Sequence, residues 1–178
     1  IVTTKKGRDG KFQITYDGNW GEERVYKNIE MLSASEYIST AKQLGIPYVN
    51  GGNTVDYTAL PTRVGSINNH HVSFSGGTAE SNYRASVAYT GRETVIRNIG
   101  YNNYVAKLDL TQLAFDKFLT IDFGIFGSSQ SNRNIADPQA LFYAAATQNP
   151  TLSSEWNGNG WSTNPTANQI ASPQARLR

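Results

Sequence analysis

The stretch "FQITYDGNW" (residues 12–20) alternates apolar and polar residues without interruption. Phe12, Ile14, Tyr16 and Trp20 share one parity, with Gly18 as the only gap, and the other parity is polar throughout. Successive side chains of a β-strand point to opposite faces of the sheet. The stretch therefore predicts a strand with one apolar and one polar face, and the fold depends on which of the two faces the inside of the protein.

Four later stretches alternate in the same way, at residues 70–77, 82–91, 104–115 and 118–127. Short turns ("TAES" and "DK") separate them in alternation with much longer connections. Transmembrane barrel strands need about 9–11 residues and have short turns on one side and long loops on the other, whereas strands of a soluble sandwich are usually about 5–6 residues long. The sequence therefore predicts an all-β chain: about five antiparallel strands of a large transmembrane β-barrel, with long extracellular loops and short periplasmic turns.

Two short helices are predicted between and after the strands. "EMLSASEYISTAKQLG" (residues 30–45) has apolar residues at helical spacing, with Ser33 or Ser35 as its N-cap and Gly45 at its end. "DPQALFYAAATQNP" (residues 137–150) has Pro138 near its first turn and Pro150 beyond its end.

Composition excludes several classes of function. The net charge of +2 is too small to indicate nucleic acid as a partner, and the absence of cysteine excludes thiol catalysis and Cys-ligated zinc. No nucleophile motif, phosphate-binding loop or metal-ligand spacing is present, so neither an enzymatic activity nor a cofactor is predicted. The chain begins "IVTTKKG", without an initiator Met or a signal peptide, and we expect it to be part of a longer protein.

The ionisable residues of the strands are given structural roles. His70 and His71 are adjacent, so in a strand they point to opposite faces and do not ligate one metal together. Asp17, Asp109 and Asp122 fall on the polar faces of different strands, where we expect pairing with Arg84 or Lys107, or solvation in a lumen. These three carboxylates are not predicted to form an acid–base pair.

Aromatic and amide residues in the predicted loops are the candidate ligand contacts. Flat aromatic faces stack on sugar rings, and amides hydrogen-bond to hydroxyl groups, a combination that the segment "SEWNGNGWSTNP" offers. The substrate-binding candidates are Trp156, Asn157, Asn159 and Trp161 in this segment, and Tyr48 and Asn53 in the first long loop. The competing interpretation is that these aromatic residues pack within their own loops.

Taken in order, these segments resemble the SusC family of TonB-dependent outer-membrane transporters. "IVTTKKGRDGKFQITYDGNWG" is similar to the exit from the family's plug domain into the first barrel strand, and "EMLSASEYI" to the helix that follows. "NNHHVSFSGGTAESNYRASVAYTGRETVI", "NNYVAKLDLTQLAFDKFLTIDFGIFGSSQSN" and "ALFYAAATQNPTL" resemble the next strands and an extracellular segment. The resemblance covers residues 1 to about 152. It departs at "VDYTALPTRVG", where the family often has Asp-Trp.

The resemblance implies an organisation and a set of partners. Residues 1–11 would end the plug domain and link it to the barrel, residues 12–127 would form barrel strands 1–5 with a loop and short helix at 22–69, and residues 128–178 would form a long extracellular loop leading to a further strand. The whole protein would import a nutrient, a glycan or else a peptide, across the outer membrane of a Gram-negative cell. Its partners would be a SusD-like lipoprotein lid and, through a segment upstream of residue 1, the TonB complex.

Two other interpretations remain open from the sequence alone. A soluble carbohydrate-binding β-domain would use Trp156 and Trp161 as its binding platform and bury the face that carries Phe12. A porin without a plug would have similar strands, although "IVTTKKG" before the first strand favours a plug upstream.

Overall fold

The computed structural model describes residues 10–154, which contain five strands and two helices. The strands are β1 (Gly10–Glu23), β2 (Gly65–Gly77), β3 (Ser81–Glu93), β4 (Gly100–Ala114) and β5 (Leu119–Arg133). The helices are α1 (Ala34–Leu44) and α2 (Pro138–Thr147). Among these residues, no helix combines the length and apolar composition needed to span a membrane.

The described residues divide into two compact units. The sheet unit contains residues 10–22, 66–92 and 100–132, and the loop unit contains residues 23–65, 93–99 and 133–154. The five strands form one sheet in the order β1-β2-β3-β4-β5. This arrangement confirms the predicted fold class, an antiparallel all-β segment of the kind found in barrels.

Side-chain contacts confirm that the two parities of each strand form two faces of the sheet. On one face, Phe12 stacks on Phe74, with ring centroids 6.3 Å apart. On the other, the Asn69 side-chain amide donates to the Asn19 side-chain oxygen at 2.8 Å. We call these the apolar face and the polar face.

The apolar face of the sheet is exposed. Ile14, Val87 and Ile121 expose 60%, 55% and 47% of their surface, and no second sheet covers this face within residues 10–154. A soluble β-domain would bury such side chains, at roughly 1.5–3 kcal/mol each. The apolar face is therefore not the face of a conventional core.

The buried apolar side chains of the described residues belong to the loop unit. They are Ala34, Ala41, Tyr57, Pro61, Ile135, Leu141, Ala144 and Ala145. Helix α1 begins with a capping box. The Glu36 backbone N–H donates to the Ser33 hydroxyl oxygen at 3.3 Å, and the Ser33 backbone N–H donates to the Glu36 carboxylate at 2.9 Å. The Ser33 hydroxyl donates to the Glu36 carboxylate at 2.7 Å, and this bond, together with the bond from the Ser33 N–H, lowers the pKa of Glu36. The cap is thus Ser33 rather than Ser35, and Gly45 ends the helix at φ 64° as predicted.

All five strands extend beyond their predicted limits, three of them by four residues or more at one end. β2 begins at Gly65 instead of residue 70, β4 at Gly100 instead of 104, and β5 continues to Arg133 instead of ending at 127. The added segments are mostly polar, as in "SSQSN" of β5, and their apolar members Ile67 and Tyr101 fall on the parity of the polar face, so apolar alternation does not reveal them. The predicted two-residue turn at "DK" is present, with φ 51° at Asp116 and 74° at Lys117, the backbone required by type I′ hairpins.

Gly65 lies where two backbone segments of the loop unit approach closely. A Cβ at this position would lie 2.4 Å from the Glu93 carbonyl oxygen. We expect Gly65→Ala to destabilise the protein by about 1–3 kcal/mol, the usual range for overpacking. A lower midpoint of thermal unfolding checks this.

Gly127→Ala is the matched control, because a Cβ at Gly127 has no neighbour within 4 Å. Its unfolding midpoint should match that of the parent protein. Equal midpoints for both variants would contradict the close approach at Gly65.

Candidate functional site

Four of the six predicted ligand contacts, Trp156, Asn157, Asn159 and Trp161, lie outside the described residues. The other two lie in the loop unit. Tyr48 is half-buried and packs edge-on against Tyr37, with ring centroids 6.4 Å apart at an interplanar angle of 90°. The Asn53 side-chain amide donates to the Gly51 carbonyl at 2.9 Å. The structure thus gives Asn53 a role in its own turn and brings Tyr48 together with an aromatic residue of α1.

The first long loop is joined to the segment after α2 by a dense set of hydrogen bonds centred on Thr151. The Thr151 hydroxyl accepts from the Gly51 N–H at 3.1 Å and lies 3.0 Å from the Val49 carbonyl oxygen. The Asn149 side-chain amide donates to the same Val49 carbonyl at 2.8 Å. The backbone N–H groups of Asn53 and Val55 donate to the carbonyls of Thr151 and Pro150, each at 3.0 Å. We call this set of bonds the loop clamp.

Burial makes the loop clamp strong. Thr151 is fully buried, and Tyr57, 3% exposed, donates its hydroxyl to the carbonyls of Leu152 (3.2 Å) and Ser153 (3.0 Å). Leaving a buried polar group without its partner costs about 1–3 kcal/mol. A Cβ on Gly51 would lie 2.5 Å from the Thr151 carbonyl oxygen, so this loop approaches closely only because residue 51 is glycine.

A cavity of about 570 Å³ lies beside the loop clamp within the loop unit. This volume falls within the roughly 300–1,000 Å³ range of small-molecule sites. Its wall combines the segment before α1, the first turns of α1, residues 54–58 and the end of α2. The aromatic members of the wall are Tyr37 and Tyr57, and the polar members include Asp56 and Asn149.

Two titratable groups of this wall have shifted pKa values. A hydrogen bond from the Thr58 hydroxyl (2.6 Å) lowers the pKa of Asp56, and backbone N–H groups of Thr58 and Ala59 act in the same direction against partial burial. Burial raises the pKa of Tyr57. At neutral pH the wall therefore carries an ionised carboxylate and a neutral phenol. The stabilisation by ionised Asp56 is present above the ordinary aspartate pKa and is lost as the pH falls.

A second set of contacts fixes the remaining loops of this unit. The Glu93 carboxylate pairs with the guanidinium groups of both Arg63 and Arg133. Arg63 also donates through Nε to the Thr94 carbonyl and through Nη2 to the Ile99 carbonyl, both at 3.1 Å. Three separate parts of the chain are therefore joined at one carboxylate.

The ionisable strand residues occupy the predicted faces of the sheet. His70 on the apolar face has its Nδ1 2.8 Å from the Tyr16 hydroxyl, whereas His71 on the polar face has its Nδ1 3.8 Å from the Asp17 carboxylate. Lys107 pairs with Asp109 at 2.9 Å, as predicted. Asp122 accepts from the Thr111 hydroxyl at 2.6 Å, a partner that was not predicted, and Arg84 donates to the Ser73 hydroxyl at 3.4 Å. No group of three or more His, Cys, Asp or Glu residues in the described part of the chain is arranged to hold a metal ion.

Sequence reasoning missed the loop clamp and the cavity beside it. Asn149 and Thr151 follow α2 in a segment without periodicity, and their partners precede them by about 100 residues. The signal that was available is local: Gly51, Asn149 and Pro150 mark irregular backbone, which must find its hydrogen bonds outside regular secondary structure.

The loop clamp leads to a direct test. Thr151→Val keeps the side-chain volume but removes the hydroxyl, so we expect a loss of about 1–3 kcal/mol in stability and a lower unfolding midpoint. Thr54→Val, at an exposed position on the same loop, is the control and should change stability by less than about 0.5 kcal/mol. A Thr151→Val protein as stable as the control would contradict the role given to this hydroxyl.

Comparison with known proteins addresses the resemblance predicted from the sequence. No protein-family model matches the chain. The TonB-dependent receptor SusC of Bacteroides thetaiotaomicron is 28% identical over 155 residues, which cover 85% of this chain and 15% of SusC. The TonB-dependent receptor P3 of Formosa agariphila is 25% identical over 136 residues, covering 76% of this chain and 14% of that receptor.

The chain thus spans about one seventh of the length of the curated relatives that it matches. Both relatives are TonB-dependent receptors, and each is matched along most of this chain. Together with the five-stranded antiparallel sheet, these similarities confirm the predicted resemblance: this chain is similar to a segment of the SusC-like TonB-dependent transporters.

Proposed function

We propose that this chain contributes wall strands and outer loops to a TonB-dependent transporter of the outer membrane. The observation that carries the proposal is the exposed apolar face of a single sheet, in a chain similar to two TonB-dependent receptors. In a barrel wall this face contacts lipid, and the polar face, with Lys107, Asp109 and Asp122, contacts the lumen. No catalytic role is proposed.

The way the apolar face ends supports this assignment. Tyr16, His70, Tyr89 and Tyr104 lie side by side across four strands, and we call them the aromatic row. On the side of the row toward the long connections, the same face carries Asn68, Asn102 and Ser131, and Trp20 of β1 is the one large apolar side chain there among the described strands. Aromatic side chains of this kind flank the apolar band of membrane barrels.

The height of the apolar band fits a bilayer. At the other end of the strands, Phe115 and Phe118 of the β4–β5 turn are 79% and 94% exposed. Phe115 follows Tyr104 by eleven positions, which corresponds to about 37 Å along the strand. At a strand tilt of roughly 40°, this length spans about 28 Å along the membrane normal. A hydrocarbon core is about 30 Å thick.

The outer loops are proposed to meet substrate and partner. The connection between β1 and β2 and the segment after β5 leave the strands at the end where the apolar face becomes polar, the end of the long loops in barrels. We propose an oligosaccharide as substrate, with a peptide as the alternative, and a SusD-like lipoprotein as the lid over these loops. Coupling to the TonB complex would act through a segment outside this chain.

The orientation of the two faces is tested by cysteine labelling at positions within this chain, which contains no cysteine of its own, so that a label found on its peptides marks an introduced residue. We expect Ile14→Cys and Ile121→Cys in the full-length protein in vesicles to react with a membrane-partitioning maleimide and to resist a charged, water-soluble one. Thr15→Cys and Thr120→Cys, one residue away, are the matched controls and should show the opposite preference. Protection of Ile14→Cys and Ile121→Cys from both reagents would support a soluble carbohydrate-binding β-domain instead.

The substrate class is tested by binding measurements on variants of the predicted contacts. We expect the double change Trp156→Ala and Trp161→Ala to weaken oligosaccharide binding about tenfold, as loss of aromatic anchors does at binding sites. Tyr26→Ala, at a fully exposed tyrosine outside the candidate set, is the control and should bind normally. Isothermal titration with oligosaccharides and, separately, with peptides decides between the substrates, and unchanged affinity in the double variant would contradict the role of the two tryptophans.

A further inference from the structure

A groove of about 350 Å³ runs across the apolar face of strands β3, β4 and β5. Its floor is formed by three small residues, Ala85, Ala106 and Gly127, one on each strand. Larger apolar side chains border it, namely Phe74, Val87, Leu108 and Ile125. The groove is lined almost entirely by apolar atoms.

The register of the strands places this groove directly beside the aromatic row. Tyr89 lies opposite Tyr104, with ring centroids 4.9 Å apart. Val87 and Ala106 lie two residues from Tyr89 and Tyr104 on the side away from the long connections, a distance of about 7 Å along the strands. Ala85 and Leu108 lie four residues from the same tyrosines, about 14 Å. The groove therefore lies within the apolar band, immediately below the row.

The aromatic row carries polar groups next to the groove. Beside the groove, the Tyr89 hydroxyl donates to the Asn102 side-chain oxygen at 3.0 Å, and further along the row the Tyr16 hydroxyl and His70 Nδ1 are 2.8 Å apart. Ser86 and Lys107 also line the groove, but both belong to the opposite parity, and the Lys107 side chain pairs with Asp109 of the polar face. A molecule that fits both the aromatic row and the groove has a polar end at the level of the row and a hydrocarbon chain in the groove below it.

We propose that this groove holds one acyl chain of an outer-membrane lipid, with the headgroup at the level of Tyr89 and Tyr104. The proposal rests on the proposed function, since it requires the apolar face to contact lipid. Inside a bilayer, association depends on van der Waals packing rather than on removal of apolar surface from water. A recess floored by alanine and glycine on an otherwise bulky face gives a flexible chain more contacts than the flat parts of that face give.

The test uses a phosphatidylethanolamine that carries a photoactivatable diazirine at mid-chain, mixed into vesicles that contain the full-length protein. After irradiation, peptide mass spectrometry locates the adducts. We expect adducts to concentrate on residues 85–87, 106–108 and 125–127, compared with the positions around Ile14 and Ile121 on the same face.

Gly127→Leu fills the groove, and the backbone accepts it because a Cβ there meets no atom within 4 Å. It should lower the groove adducts about threefold, in line with the modest packing energies found inside membranes. Gly124→Leu is the matched control on the polar face of the same strand, where a Cβ makes only ordinary contacts, and it should leave the adducts unchanged.

The possible failures are distinguishable. Adducts spread evenly over the apolar face, or equal groove adducts in the Gly127→Leu protein and the parent, overturn the acyl-chain site while leaving the wall function intact. A complete lack of adducts on the apolar face contradicts the wall function itself, and the acyl-chain site with it.

Discussion

The strict alternation of side chains along a strand is the constraint on which the rest of this structure depends. Each strand has an apolar and a polar parity, and hydrogen bonding in one sheet aligns these parities into two faces. Once the faces are aligned, the apolar one must find an apolar environment. The buried apolar residues of the described chain lie in the loop unit, so the sheet does not obtain that environment from a core of its own. The proposed lipid-facing wall would give the apolar face that environment without a second sheet.

Much of this could be predicted from the sequence because the signal is local. Phe12 to Trp20 and the four later stretches specify the strands and their faces within a few residues, and Gly45 and Pro138 mark helix ends for simple conformational reasons. The strand ends were harder to predict. At residues 65–69 and 128–133 the parity of the apolar face carries no apolar side chain, so the strands continue there without any alternation to reveal them.

The loop unit could not be predicted for a different reason. Its geometry depends on contacts between residues about 100 positions apart, such as Val49 with Thr151 and Gly51 with Thr151. Polar residues in an irregular segment look alike in sequence whether they face solvent or are fully buried. Thr151 is buried because Gly51 allows the backbones to approach and because Asn149 satisfies the neighbouring carbonyl. The close approach at Gly51 and the hydrogen bond from Asn149 can be recognised only once the two segments have been placed side by side.

The polar strand extensions make the strands longer than the apolar band that they carry. The strands have 13–15 residues, more than the roughly 9–11 that a bilayer requires. Beyond the aromatic row, Asn68, Asn102 and Ser131 continue this face with side chains suited to water, and Trp20 of β1 is the one large apolar side chain there among the described strands. Backbone pairing and lipid contact therefore end at different heights. The sheet continues past the proposed hydrocarbon boundary, so the long connections leave from paired strands rather than directly from the apolar band.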